Sequence, residues 1–398
     1  MQYDMVFEGG GAKGMIFVGA LQVLEAAGHT HARLLGTSAG AITATLLAAG
    51  YTAAEMLEAL AEQRDGQSVF ADFMGTPAAP DPEELQKGAI RTLFRTMNIP
   101  FIPDKLEERL DDSVVQWLGN QSALRHLFAF VDRGGWYSAD AFVAWMSQRL
   151  DSGTFNGTPR NFSQQTLAQF HAATGANLTL IATDTTAEQL LILNHQTAPD
   201  VPVVWATRMS MSIPLLWEEV VWRAEWGTYR GKAQTGHTIV DGGILSNFPL
   251  ELFVSGDEMI TSVMGTNRGD AVIGLLIDES AAPDPSAVTE APAATGFSIG
   301  SLQTVQRFGK LINTMLGARD KYVIESFERL VVRLPAKGYG TTEFNMTPER
   351  RGLLVQAGAN ITQRYLEYLA SPSTLSFDPQ ESVRTAEAAD KMAKRLFE

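Results

Sequence analysis

The sequence contains no cysteine. Disulfides, a thiolate nucleophile and cysteine-ligated zinc are therefore excluded. Charge is sparse and unbalanced, with charged residues at 19%, a formal charge of -14 and a pI of about 5.0. Such a chain has no general attraction for nucleic-acid phosphates, so no nucleic-acid partner is expected. It also gains little from anionic headgroups, although an acidic protein can still meet lipid through an apolar face. Histidine is scarce: His29, His31, His126, His171, His195 and His237 are all there are, and none lies in a recognisable catalytic motif. The first residues, Met1-Gln2-Tyr3-Asp4, run into Met5-Val6-Phe7 without a basic region followed by an apolar one. No secretory leader is read, and the expected location is cytoplasmic, with peripheral membrane contact left open.

What is present is an ordinary globular composition. Hydrophobic residues make up 45% of 398, enough to bury a sizeable core. One uncharged stretch, Leu34 to Ala54, is long enough to span a bilayer. Gly36-Thr37-Ser38-Ala39-Gly40 interrupts it with turn residues, so it reads as a buried strand, turn and helix.

Strand and helix signals alternate at the start. Met5-Val6-Phe7 reads as a strand, Val18, Leu21 and Leu24 mark a helix closed by Gly28, and Ala32 to Leu35 is a second strand. A helix over about Ala39 to Ala49 follows, then another after Thr52, an N-cap with Glu55 three residues on. This order predicts an α/β fold, a parallel-rich central sheet with helices on both faces. From about residue 66 to 160 the rhythm is lost, and helical stretches such as Ala89 to Met97 and Pro103 to Leu118 suggest a helical insertion, either over the sheet's active edge or as an ordinary helical layer without a covering role. The α/β pattern returns with strands at Leu178 to Thr183, Gln189 to Asn194, Thr238 to Val240, Ala271 to Ile277 and Leu330 to Leu334. Helices are expected at Val203 to Ile213, Phe297 to Phe327 and Pro348 to Leu369, and a surface loop at Ala281 to Thr295. The expected organisation is one domain over 1–370 and a C-terminal tail or helix over 371–398.

Gly9-Gly10-Gly11-Ala12-Lys13-Gly14 fits G-x-G-x-x-G between a strand and a helix. Alone it is compatible with a dinucleotide site or with an oxyanion hole, because both need bare amides and no Cβ. The second strand separates the two. It ends in Leu34-Leu35-Gly36-Thr37-Ser38, without the carboxylate a dinucleotide ribose requires, and Lys13 is followed by Gly14, which excludes a P-loop.

Gly36-Thr37-Ser38-Ala39-Gly40 is G-x-S-x-G in the strand-to-helix context of a nucleophile elbow. Its flanking glycines relieve crowding, and the helix that follows Ser38 turns its positive end toward a developing oxyanion. Ser38 needs a proton acceptor. No histidine follows Asp241, so a triad built on that aspartate cannot have the α/β-hydrolase order; Ser38 with Asp184 and His195 or His237 remains formally available. Asp241-Gly242-Gly243 follows a strand, where a carboxylate could share the strand-end crevice of a parallel sheet with Ser38.

Together these three motifs, in this order, resemble the patatin-like phospholipases. Ala182-Thr183-Asp184-Thr185-Thr186, Arg208-Met209-Ser210-Met211-Ser212-Ile213-Pro214, the block from Asp241 through Asn247 to Pro249, and Gly340-Thr341-Thr342-Glu343-Phe344-Asn345 resemble further parts of the family. The resemblance covers most of the chain outside 66–160. It implies a Ser-Asp dyad of Ser38 and Asp241, without histidine, that hydrolyses phospholipid or other lipid esters. The oxyanion hole would comprise the amides of Gly9, Gly10 and Gly11 with Ala39. Lys13, Gly14, Gly36, Gly40, Gly242 and Gly243 would support the motifs, and no metal or organic cofactor would be needed. Glu8 departs from the aspartate many members carry before the glycines, which bears on how the turn is anchored. Two other functions remain in view: a dinucleotide-binding module, and a patatin-like effector held inactive until a partner or ligand binds. For an aspartate to serve as base, burial must raise its pKa toward the working pH.

Overall fold

The computed structural model describes residues 1–64, 67–81, 83–84, 88–89, 121–266, 268–283, 323, 325–371 and 379–397. The chain opens with β1 (Gln2–Phe7), α1 (Ile16–Ala26), β2 (Thr30–Thr37), α2 (Ala39–Ala48) and α3 (Ala53–Leu60). After α4 (Ser122–Asp132) and α5 (Asp140–Asp151) come β3 (Asn177–Asp184), β4 (Gln189–Leu193), α6 (Val203–Ser210), β5 (Val220–Val221) and β6 (Thr238–Asp241). β7 (Ala271–Asp278), β8 (Val331–Pro335), α7 (Pro348–Leu369) and α8 (Pro379–Lys394) complete it.

These eight strands form one mixed sheet in the order β5-β6-β3-β2-β1-β7-β8, with β4 also on β3. The run from β3 to β8 is parallel; β4, β5 and β6 are antiparallel to their neighbours. The strands are apolar on both faces, as a covered parallel sheet requires. On β1, Tyr3, Met5 and Phe7 enter one core while Val6 enters the other. The first core holds α1, α2 and α7; the second holds Phe248, Leu252, Phe253 and the inner face of α8, where Ala389, Met392 and Ala393 are buried. The result is three layers, an α/β fold of the expected class. Across β1 and β2, on the second face, Asp4 and Arg33 form a buried ion pair at 2.5 Å, with the guanidinium 4.3 Å from the Phe253 ring centre.

Three expectations change in detail. Val203 to Ile213 is helical only to Ser210, because Pro214 pushes the residue before it out of the α region. The unwound segment gains a use: the Ser212 carbonyl accepts the Asp241 N–H at 2.8 Å. The insertion is not purely helical, since Gly135–Tyr137 pairs with Leu215–Trp217 and Thr154–Phe155 with Thr158–Pro159. Asp241 does not end a parallel strand: β6 is antiparallel to β3. The helices read at Ala89 to Met97, Pro103 to Leu118 and Phe297 to Phe327 and the loop at Ala281 to Thr295 lie wholly or mostly outside the described residues. Leu34 to Ala54 is β2, a turn and α2 as expected, and among the described residues no helix is long and apolar enough to cross a membrane.

The direction of β6 positions the site. β4 pairs with residues 180–184 of β3, so β2 and β6 must share the opposite edge. Thr37 stands opposite Ile181, and Asp241 opposite Ala182. β6 therefore meets β2 end to end along β3, and its last residue arrives beside the residue that precedes Ser38. Gly242 is part of this closure, since a Cβ there would lie 2.3 Å from the Ile181 carbonyl oxygen.

Candidate active site

Ser38 sits between β2 and α2 with φ 53° and ψ -118°, a conformation unfavourable for a residue with a Cβ. Its surroundings hold it there. The Ser38 N–H donates to Ser210 Oγ at 3.1 Å, and that hydroxyl donates to the Ile181 carbonyl at 2.6 Å. Gly36 and Gly40 let strand and helix close on one another: a Cβ on Gly36 would stand 2.3 Å from the Gly40 oxygen.

The glycine-rich turn is clamped from three sides. Glu8 accepts the Ile277 N–H at 2.6 Å and Asn247 Nδ2 at 3.2 Å, and Asn247 Nδ2 also donates to the Gly9 oxygen at 2.9 Å. Glu8 thus anchors the turn through its longer side chain. On the far side the Thr341 carbonyl accepts the Ala12 N–H at 2.9 Å. Lys13 is buried; its ammonium donates to Thr341 Oγ1 at 2.9 Å and pairs with Glu279. Gly14 packs the turn against Ala39. Gly11 takes φ 57°, where glycine carries no Cβ penalty.

One expected oxyanion donor is otherwise engaged. The Gly9 N–H donates to the Asn247 carbonyl at 3.3 Å. Gly9 matters through close approach instead: a Cβ there would lie 3.0 Å from Ser38 Cβ and 2.2 Å from Asn247 Oδ1. Among the described residues, the amides of Gly10, Gly11 and Ala39 donate to no protein acceptor, and Gly11 and Ala39 line the same cavity as Ser38.

Asp241 is buried. Its Oδ1 accepts the Gly243 N–H at 2.8 Å, which gives the second glycine of the triplet its role. Burial raises the carboxyl to a pKa of about 7, against the lowering effects of the Ser38 hydroxyl and the Gly243 amide. The Ser38 hydroxyl acts on this carboxyl from short of full hydrogen-bond geometry, since Oδ2 has no hydrogen-bond partner among the described residues. The structure thus brings together the two side chains singled out in the sequence, although 203 positions separate them.

The histidine alternative does form a pair, but elsewhere. His237 Nδ1 lies 2.8 Å from Asp184 Oδ2. Asp184 also accepts the amides of Thr186 and Ala187, closing the turn between β3 and β4. His195 stacks on His171 at 3.7 Å. No histidine lines the cavity at Ser38.

That cavity, ≈ 60 Å³ in volume, is walled chiefly by apolar side chains, among them Ile42, Phe70, Phe73, Trp217 and Phe344. Phe70 and Phe73 come from the insertion, so part of that segment covers the site. Sequence reasoning did not single out Ser210 and Ser212, which hold the Ser38 and Asp241 amides; they were visible only as part of a block ending in Pro214. Arg351 was missed, and Thr341 was visible only within the block from Gly340 to Asn345, because contacts across some three hundred positions leave no local signal.

The chain is 28% identical over 374 residues to "Uncharacterized protein YqhO" of Bacillus subtilis (strain 168), with 92% of this chain and 99% of that one covered. Among solved structures it is similar to VipD from Legionella pneumophila, at 16% identity and TM-score 0.43 over 99% of this chain and 75% of that one. It is also similar to the type III effector ExoU, known in complex with SpcU in Pseudomonas aeruginosa, at 17% identity and TM-score 0.37 over 99% of this chain and 61% of that one. The sequence model of the patatin-like phospholipases matches residues 5–254, which include the glycine-rich turn, Ser38 and Asp241, and the chain belongs to that family of lipid acyl hydrolases.

Proposed function

We propose that the protein is a serine hydrolase of phospholipid or lysophospholipid esters working through a Ser38–Asp241 dyad. The observation that carries this reading is the buried Asp241 carboxyl, raised to a pKa of about 7 and facing the Ser38 hydroxyl. A carboxylate titrating there is a far better base near neutrality than one at its ordinary value.

In the first half-reaction Ser38 Oγ attacks the ester carbonyl as Asp241 takes its proton. The carbonyl oxygen becomes an oxyanion, stabilised by the amides of Gly10, Gly11 and Ala39 and by the N-terminus of α2. Collapse breaks the C–O bond, and Asp241 returns the proton to the leaving alcohol. In the second half-reaction Asp241 deprotonates water, hydroxide attacks the acyl-serine, and the carboxylic acid leaves as Ser38 regains its proton. The apolar cavity receives the acyl group. None of these steps calls on a bound metal.

The test is a fluorophosphonate adduct located by mass spectrometry. It is expected on Ser38 in the native chain, with none formed by Ser38→Ala. An adduct on another serine, or ester hydrolysis by Asp241→Asn at the native rate, would overturn the assignment.

A further inference from the structure

The cavity at Ser38 is lined mostly by apolar side chains, and the charged residues among its described lining are Glu343 and Arg351. Their situations differ. Glu343 is fully engaged: Arg350 Nε donates to it at 2.7 Å, Arg350 Nη2 at 3.1 Å and the Gly340 N–H at 3.0 Å. Arg351 is only 9% exposed, yet among the described residues its guanidinium makes no ion pair. Among the described residues, its guanidinium donates one hydrogen bond, from Nη1 to the Ala61 carbonyl at 3.3 Å. A guanidinium has five donors and cannot discharge itself by losing a proton. Holding one in a cavity whose lining includes Leu60, Phe70 and Met346 is costly unless an anion meets it. The exposed carboxylate of Glu349 feels its charge, but among the described residues no carboxylate lies within ion-pair distance of it, although the overall charge is -14.

We propose that Arg351 is a specificity residue that receives a carboxylate at the far end of the substrate's acyl group. The inference rests on the hydrolase reading above and narrows its substrate class to esters whose acyl chain ends in an anion, such as dicarboxylic half-esters or oxidatively truncated acyl chains. The acyl side is favoured over the alcohol side because Arg351 is buried among apolar side chains. A hydrated headgroup phosphate would remain at the mouth, where no such desolvation is needed. The planar guanidinium suits a carboxylate, which it can grip with two parallel hydrogen bonds.

The experiment compares mono-p-nitrophenyl esters of glutarate, adipate and suberate with neutral esters of matched chain length, in the native chain, Arg351→Met and Arg351→Lys. The quantity read is the ratio of kcat/KM for the anionic ester to that for its neutral partner. Loss of the tie between α7 and Ala61 would lower both rates but would not move the ratio. The native chain is expected to prefer the anionic ester at one chain length. Arg351→Met should reduce that ratio by about 10- to 100-fold, the range of a charge-assisted hydrogen bond, and Arg351→Lys should retain part of the preference. A native preference for the neutral ester at every length overturns the proposal, as does a ratio that Arg351→Met leaves unchanged. A second arm compares lysophosphatidate with the monoacylglycerol of the same acyl chain. An Arg351 effect confined to that arm would place the anion on the alcohol side and refute the acyl assignment. If no ester is hydrolysed by the native chain at all, the hydrolase reading fails instead, and the two failures are distinct.

Discussion

Replacing Asp241 by asparagine should make the protein more stable at alkaline pH while abolishing its activity. The reasoning starts from the carboxyl's two titrations, at its ordinary 3.8 when unfolded and at about 7 when folded. Between those values the folded chain binds a proton that the unfolded chain does not. Stability must therefore fall as pH rises through that window, and level off above it. Each pH unit is worth about 1.4 kcal/mol. The full cost of holding the charged carboxylate is thus roughly 4 kcal/mol above neutrality, of which roughly 2.5 kcal/mol accrues between about pH 5 and about pH 8. Asp241 is buried, so solvent screening does little to reduce it. Asparagine cannot ionise, and its Oδ1 can still accept the Gly243 N–H. Its amide group must replace Oδ2, which costs about 1 to 3 kcal/mol if left unpaired, but that cost does not depend on pH. The clean quantity is therefore a double difference. Urea unfolding of native and variant chains at the two pH values should show the variant gaining roughly 2.5 kcal/mol relative to the native chain on going from acid to base. Parallel stability curves would show that Asp241 titrates alike in both states, and the argument for it as a neutral-pH base would go with them.

Other outcomes follow from the same geometry. The kcat/KM of the native chain should rise with pH as a single titration centred at about 7, since only the ionised carboxylate accepts the Ser38 proton; a profile flat from acid to alkaline pH would contradict it. Gly9→Ala should lower kcat by about 10-fold or more, because the new methyl must displace Ser38 or Asn247, and stopped-time ester assays at saturating substrate will read this directly. Asp4→Asn leaves Arg33 buried without its counter-charge and should cost about 3 to 5 kcal/mol in chemical denaturation; a cost below about 1 kcal/mol would mean that water reaches the guanidinium.

Much of the molecule was legible because its signals are local. The capping box at Thr52 and Glu55 forms as read, and α7 begins at a proline and spans Pro348–Leu369 as periodicity indicated. Two glycine-bearing turns after short apolar strands marked the candidate elbow and the candidate oxyanion loop, because close backbone approach favours glycine there. Local signal fails where a residue's role depends on what lies across the sheet. Gly9 looked like an oxyanion donor, yet its amide is committed to Asn247, a partner far along the chain. Ser210 and Ser212 entered only within the block from Arg208 to Pro214, and only the fold turns one into an acceptor for Ser38 and exposes the other's carbonyl to Asp241.

The expected pairing of Asp241 with Ser38 rested on a route that the structure does not follow. Convergence of parallel strand ends would place any carboxylate that follows a strand near any serine that follows another, and so would not distinguish Asp241 from Asp278 at the end of β7. The observed arrangement is more restrictive. β2 stops at Ile181, halfway along β3, and leaves the remaining edge of β3 unpaired. An antiparallel strand fills that edge from the opposite direction, and its length decides where its last residue falls. With Ile239 opposite Asp184 and Asp241 opposite Ala182, β6 ends one position from the end of β2. One more residue in β6 would carry the carboxylate into the space of Thr37; one fewer would withdraw it by about 3.4 Å and turn it to the other face. Strand length at an end-to-end junction, which no motif encodes, is therefore what delivers the carboxylate to the hydroxyl.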